Sequence, residues 1–139
     1  MDIDKLLKAL DNDNNENIID TTSESLREEL LYALKDLELA EKDTNELAHK
    51  LRNYKYVDKI SNLHSGAYVR WISLKNHDEL YLTNGALLCD IKFDNVGVCL
   101  ICKGFRSRHF QVRFDDCMIF QKLSDQEQVL LSALDYLSK

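Results

Sequence analysis

The apolar residues of this chain change their spacing once, and no single element can carry both spacings. From Leu26 to Tyr54 they recur at intervals of four and three, the period of a helix. Between His64 and Lys122 they alternate, the period of a strand. The chain is therefore expected to be α+β, helical first and β later. At 139 residues it has room for one ordinary domain, or for a small domain with an appendage.

Residues 1–58 read as a helical arm. Ile3, Leu6, Leu7 and Leu10 predict a short amphipathic helix over 2–11. The run from Asp11 to Asn17 is rich in Asn and Asp, whose side chains bond locally to the backbone, and predicts a flexible loop. Thr21 and Glu24 have the spacing of a capping box. Leu26, Leu30, Ala33, Leu37, Ala40, Thr44, Leu47, Leu51 and Tyr54 then form a heptad-like seam, uninterrupted by Gly or Pro. It predicts a long helix over about 22–56, roughly 50 Å in length. In a parallel homodimer Asp36 would face Glu41 and Lys50 would face Lys55, so an antiparallel pair, a partner helix or an intrachain helical hairpin fits better. A helix this long seldom buries its stripe unaided. Leu26, Leu30, Leu37, Leu47, Leu51 and Tyr54 are accordingly the candidate contacts for self-association or for a partner.

Residues 59–139 read as a small β domain closed by a helix. The expected strands are Ala67–Leu74, Glu79–Thr83, Ala86–Phe93, Gly97–Lys103, Arg108–Phe114 and Cys117–Gln121. Asn84-Gly85 is a strong hairpin signal, since both residues tolerate positive φ. Further turns are expected at Asp94–Gly97, Lys103–Ser107 and Asp115-Asp116. This strand count and spacing resembles a small antiparallel barrel of the SH3-like kind, or a rolled sheet. Ser124 and Glu127 form a second capping-box pattern with Leu123 as a staple, which predicts a C-terminal helix over 125–138 that covers an open end or edge of the barrel.

Charge divides along the same line. Residues 1–58 hold 8 basic and 15 acidic side chains, residues 59–122 hold 9 and 6, and residues 123–139 hold 1 and 3. The net charge of −6 argues against a wholly basic nucleic-acid clamp, while the basic middle permits an anionic partner there. The cations concentrate in the hairpin 103–113, where Lys103, Arg106, Arg108, His109 and Arg113 surround Phe105. Cations with an exposed aromatic suit phosphates and stacked bases, or an acidic protein segment. Tyr68, Trp71 and Tyr81 offer a further aromatic surface, or ordinary sheet packing.

Other chemistry finds less support. Cys99 and Cys102 make a C-x-x-C and are the candidate zinc ligands, but three positions apart on a strand they point to opposite faces. Cys89 and Cys117 stand alone, and buried, reduced core thiols are expected. His49, His64, His77 and His109 show no helical metal-binding spacing, and the four glycines form no phosphate loop. No cofactor and no enzymatic activity are expected. The acidic N-terminus, Met1 to Asp4, has no apolar segment after it and does not read as a secretory signal. No apolar run approaches the roughly 18 residues that span a bilayer. The expected location is intracellular and soluble, in cytoplasm or nucleus, and the proline-free, Asn- and Lys-rich composition is also compatible with a virion component. The expected function is a non-enzymatic interaction or assembly module, with the arm for self- or partner association and the β domain for docking. Alternatives are a nucleic-acid-associated module acting through the hairpin 103–113, and a small zinc-stabilised domain.

Overall fold

The computed structural model describes residues 2–19, 21–76 and 78–138, with the side chains of Asn14 and Asn17 left aside; Met1 and His77 lie outside the described residues. Its order is α1 (Ile3–Asp11), a 3-10 turn (Asp13–Ile18), α2 (Ser23–Lys35), α3 (Glu41–Lys50), β1 (Tyr54–Val57), β2 (Tyr68–Ser73), β3 (Ala86–Asp94), β4 (Gly97–Lys103), β5 (His109–Arg113), β6 (Cys117–Lys122) and α4 (Asp125–Leu137). Among the described residues, four α-helices and one six-stranded antiparallel sheet make the chain α+β. Two compact units form: Met1–Lys55 with Leu123–Lys139, and Tyr56–Lys122.

The first unit corrects the expected long helix. The helix over 22–56 is absent, and so is the coiled-coil-like seam; the first helix of the chain has only 9 residues. The seam breaks between Lys35 and Glu41, where Glu38 takes a left-handed φ of 53°. That conformation costs a non-glycine residue about 1–2 kcal/mol. Burying one leucine returns about 1.5–3 kcal/mol, and Leu30, Ala33, Leu34 and Leu51 are all buried, with α3 turned against α2. Packing therefore outweighs the local strain. The thin centre of the seam, Ala33, Ala40 and Thr44, gives a straight helix little to bury at that point. The N-cap of α2 is Thr22, one residue beyond the expected position, and its hydroxyl accepts from the Ser25 N–H at 3.1 Å.

The expected flexible loop is also ordered. Asn15 is buried, and its amide donates to the Ala9 carbonyl at 2.9 Å and to Gln126 Oε1 at 3.1 Å. These bonds join the turn to α1 and α4. Ala9, Ile18, Leu130 and Leu131 form the local core, with Leu6, Leu26 and Leu123 against it. Asp135, near the end of α4, accepts from the Ser23 N–H at 2.9 Å and the Ser23 hydroxyl at 2.6 Å, holding the start of α2. The Ser124–Glu127 capping box forms, and the second carboxylate oxygen of Glu127 accepts from Lys55 Nζ at 2.7 Å, with both side chains 3 % exposed.

The second unit corrects the barrel. The strand order is β1-β6-β2-β3-β4-β5, with β1 and β5 as its two edges. The sheet is open. Residues 54–57, expected in the helix, are the edge strand β1; Tyr54, Tyr56 and Val57 are residue types that favour strands. Residues 79–83 are no strand and contribute one bridge, Ile72 with Leu82. The last strand, β6, lies inside the sheet. Met118, Ile119, Phe120 and Gln121 are buried on both of its faces, and a strand buried on both faces takes a central place. Asn84-Gly85 is no two-residue hairpin either. It ends the long β2–β3 connection, where Gly85 has φ +94° and a Cβ would lie 2.5 Å from the Val69 carbonyl oxygen. Glycine is required there because one backbone crosses another. The core joins Val57, Leu63, Val69, Ala86, Leu88, Leu100, Val112 and Ile119.

Candidate functional site

The β4–β5 hairpin gathers five of the six expected anion- or partner-binding residues at one tip. Gly104 N–H donates to the Arg108 carbonyl at 2.7 Å, which closes the turn. Arg106 and Ser107 follow at φ 60° and 59°, each left-handed without being glycine. Such a conformation costs about 1 kcal/mol or more per residue and recurs at binding sites. Gly104 lies under the Phe110 ring, which a Cβ would meet at 2.5 Å. Phe110 in turn meets Trp71 edge-on at 6.2 Å. The base of the tip is therefore anchored in the core of its unit.

Above that base the tip is open. Phe105 is 85 % exposed, and the Arg106 guanidinium lies over its ring at 5.5 Å. Arg108 lies over Phe110 at 5.7 Å. Lys103 and His109 face each other across the hairpin. Among the described residues no carboxylate pairs with Lys103, Arg106 or Arg108.

Arg113 stands apart, four residues beyond His109 and so roughly 13 Å along the strand. It forms a two-pronged pair with Asp94, at 2.9 Å from Nη1 to Oδ1 and 2.8 Å from Nη2 to Oδ2. Asp94 Oδ1 also accepts from the Val96 and Gly97 amides. The Arg113 hydrogen bond, then the amides, hold the Asp94 carboxyl at about 2, below its ordinary 3.8. The same pair raises the Arg113 pKa. Sequence reading counted Arg113 as a free cation and missed this partner. The signal lay in the β3–β4 and β4–β5 registers, which bring the Asp94–Gly97 turn beside the end of β5.

The six seam residues are spread over three kinds of structure. Leu26 and Leu30 lie on α2, Leu37 in the turn after it, Leu47 on α3, Leu51 at the end of α3 and Tyr54 on β1. Leu30 and Leu51 are buried within their unit and so are not a surface. The exposed apolar stripe of that unit is on α1 instead, at Ile3, Leu7 and Leu10.

Cys99 and Cys102 do lie on opposite faces. Cys99 is opposite Arg113, and Cys102 is opposite Phe110 on the core side. Burial, with Cys89 and Cys99 nearby, pushes the Cys102 thiol up to about 12, and burial pushes Cys117 up to about 11. Neither offers a thiolate near neutral pH. Among the described residues no three His, Cys, Asp or Glu side chains gather as metal ligands. His49 lies on α3, where Arg52 approaches its ring, and His64 lies in a loop, where its N–H donates to Gln121. Among the described residues no helix is long and apolar enough to cross a membrane. Comparison with models of protein families, with curated proteins and with solved structures finds no match.

Proposed function

We propose that this protein is a non-enzymatic interaction module that docks an acidic protein surface on the hairpin Lys103–Arg113. The observation that carries this reading is the tip itself: a ring 85 % exposed with Arg106 over it, on a turn anchored through Phe110 and Trp71, where among the described residues Lys103, Arg106 and Arg108 have no carboxylate partner. An exposed aromatic beside Arg is the usual composition of an energetic anchor in protein interfaces. Exposed cations without partners keep their attraction for an incoming carboxylate and steer its approach.

A single-stranded nucleic acid is the second ligand with suitable chemistry. It is less favoured, because Arg106 already covers one face of Phe105, where a base would stack. Titration of the full chain, labelled for NMR, separates the two. The probes are an Asp/Glu-rich peptide carrying one aromatic residue and a single-stranded oligonucleotide of equal charge. The expected result is shifts at residues 103–109 with the peptide, and an affinity at least about tenfold weaker for Arg106→Glu with Arg108→Glu. Preferential, steeply salt-dependent binding of the oligonucleotide replaces this reading with the nucleic-acid one. No shift with either probe overturns both.

A further inference from the structure

We propose that the acidic surface met by this hairpin is that of a second copy of the chain, joined edge to edge through β5. This deepens the docking reading above and rests on it.

The first observation is the open edge. β5 ends the strand order of the sheet. The Gly104–Arg108 hydrogen bond sets the phase of the β4–β5 ladder, since bonded and non-bonded pairs alternate along antiparallel strands. Residues 108, 110 and 112 therefore bond to β4. His109, Gln111 and Arg113 turn their N–H and C=O groups to the open side. Arg113 caps the 3-10 turn Phe114–Asp116, which engages its carbonyl, and no loop or side-chain hydrogen bond among the described residues reaches the other backbone groups of the three. Their side chains share the solvent-facing side, and no proline interrupts the strand. An unblunted edge of this kind is a template for another strand.

The second observation is that charge along this edge has a direction. Lys103, Arg106, Arg108 and His109 lie at its start. Asp115 and Asp116 follow its end. Among the described residues Asp116 has one ion-pair partner, Lys75 at 3.3 Å, which is itself largely exposed. An edge that is basic at one end and acidic at the other repels a parallel copy of itself and attracts an antiparallel one.

Register then follows from the hydrogen bonds. A two-fold axis at Gln111 is the one arrangement in which all three outward residues pair, giving about four new bonds, since each Arg113 carbonyl is engaged by its own turn. Gln111 meets Gln111 of the second copy. His109 meets Arg113, whose charge Asp94 already neutralises. Continued outward, Arg106 and Arg108 of each copy run alongside Asp115 and Asp116 of the other. Shifting the axis by one residue leaves one outward residue of each copy unpaired. The interface is isologous and closes on itself, so it yields a dimer and not a fibre. It is short, below the roughly 1,200 Å² typical of stable complexes, so the dimer is weak and concentration-dependent.

Sedimentation velocity on the full chain, from low micromolar to about millimolar concentration, tests this. A monomer–dimer equilibrium is expected. Gln111→Pro removes an N–H that β4 does not use, so the unit keeps its own ladder while dimerisation is lost. The double variants Arg106→Glu/Arg108→Glu and Asp115→Lys/Asp116→Lys should each dimerise at least about tenfold more weakly, because like charges then face each other. Mixing these two variants restores opposite charges at both ends and should recover a heterodimer. A wild-type chain that stays monomeric throughout, or a dimer that Gln111→Pro leaves intact, overturns the proposal. If that monomeric chain still shifts at residues 103–109 with the acidic peptide, the docking reading survives and self-pairing alone fails.

Discussion

The two units hold ion pairs of the same chemistry in opposite settings. In the helical unit Lys55 and Glu127 meet at 2.7 Å, 3 % exposed, on residues 72 positions apart. In the β unit Arg113 and Asp94 meet at 2.8 Å in the open, 19 positions apart. Taking two charges out of water costs several kcal/mol per ion, which only a close partner and further hydrogen bonds offset. Glu127 has both, since its other oxygen accepts the Ser124 N–H of the capping box. The exposed pair is screened by water and contributes little to stability. Its effect is local: it fixes the β3–β4 turn and withdraws Arg113 from the set of free cations.

The largest expected effect comes from breaking the buried pair. Glu127→Ala leaves Lys55 charged and alone, and chemical denaturation should register a loss of about 3–5 kcal/mol. Replacing both partners together, Lys55→Met with Glu127→Leu, should recover most of it. If Glu127→Ala changes the denaturation midpoint no more than Arg113→Ala does, the contrast between the units fails. Next comes Gly85→Ala in the β unit, where positive φ and a backbone oxygen at 2.5 Å act together. Thermal unfolding should show a loss of about 2 kcal/mol or more.

Asn15→Ala should cost about 1–2 kcal/mol by the same measurement, because it removes the buried amide's bonds to the Ala9 carbonyl and to Gln126 Oε1 together. The smallest effect on stability is that of Arg113→Ala, and it is best read by NMR titration of Asp94. The carboxyl should move from about 2 back toward 3.8. Because pairing lowers this pKa, its contribution is present above pH 3.8 and is lost as pH falls toward 2. An unmoved Asp94 would assign the depression to the Val96 and Gly97 amides instead.

Features that depend on neighbours in sequence were legible. Helix α1 follows the spacing of Ile3, Leu6, Leu7 and Leu10, and α4 starts at the Ser124–Glu127 box. Strand β4 occupies Gly97–Lys103, and the cations of the next turn meet at one tip because a hairpin makes them neighbours. The break at Glu38 was not legible, since no Gly or Pro marks it. It exists because the chain on either side buries Leu30, Ala33 and Leu34 of α2 and Leu51 after α3, which outweighs what Glu38 loses in the left-handed region. Strand β1 was hidden for a related reason: Tyr54 continues the seam arithmetically while Tyr56 and Val57 favour a strand. The Arg113–Asp94 pair needed two registers at once, and the seam could not reveal that Leu30 and Leu51 are spent on the chain's own core.

By itself the sequence determined the switch from helical to strand period, the caps that start helices, and the clustering of cations and Phe105 on one hairpin. These rest on contacts between residues a few positions apart, whose geometry follows from the backbone alone. Only the tertiary structure decided where the long apolar stripe would break, that β6 would lie inside the sheet, and that Lys55 would meet Glu127. Each of those is settled by burial against residues far away in the chain, and burial free energy belongs to the assembled core and to no local segment.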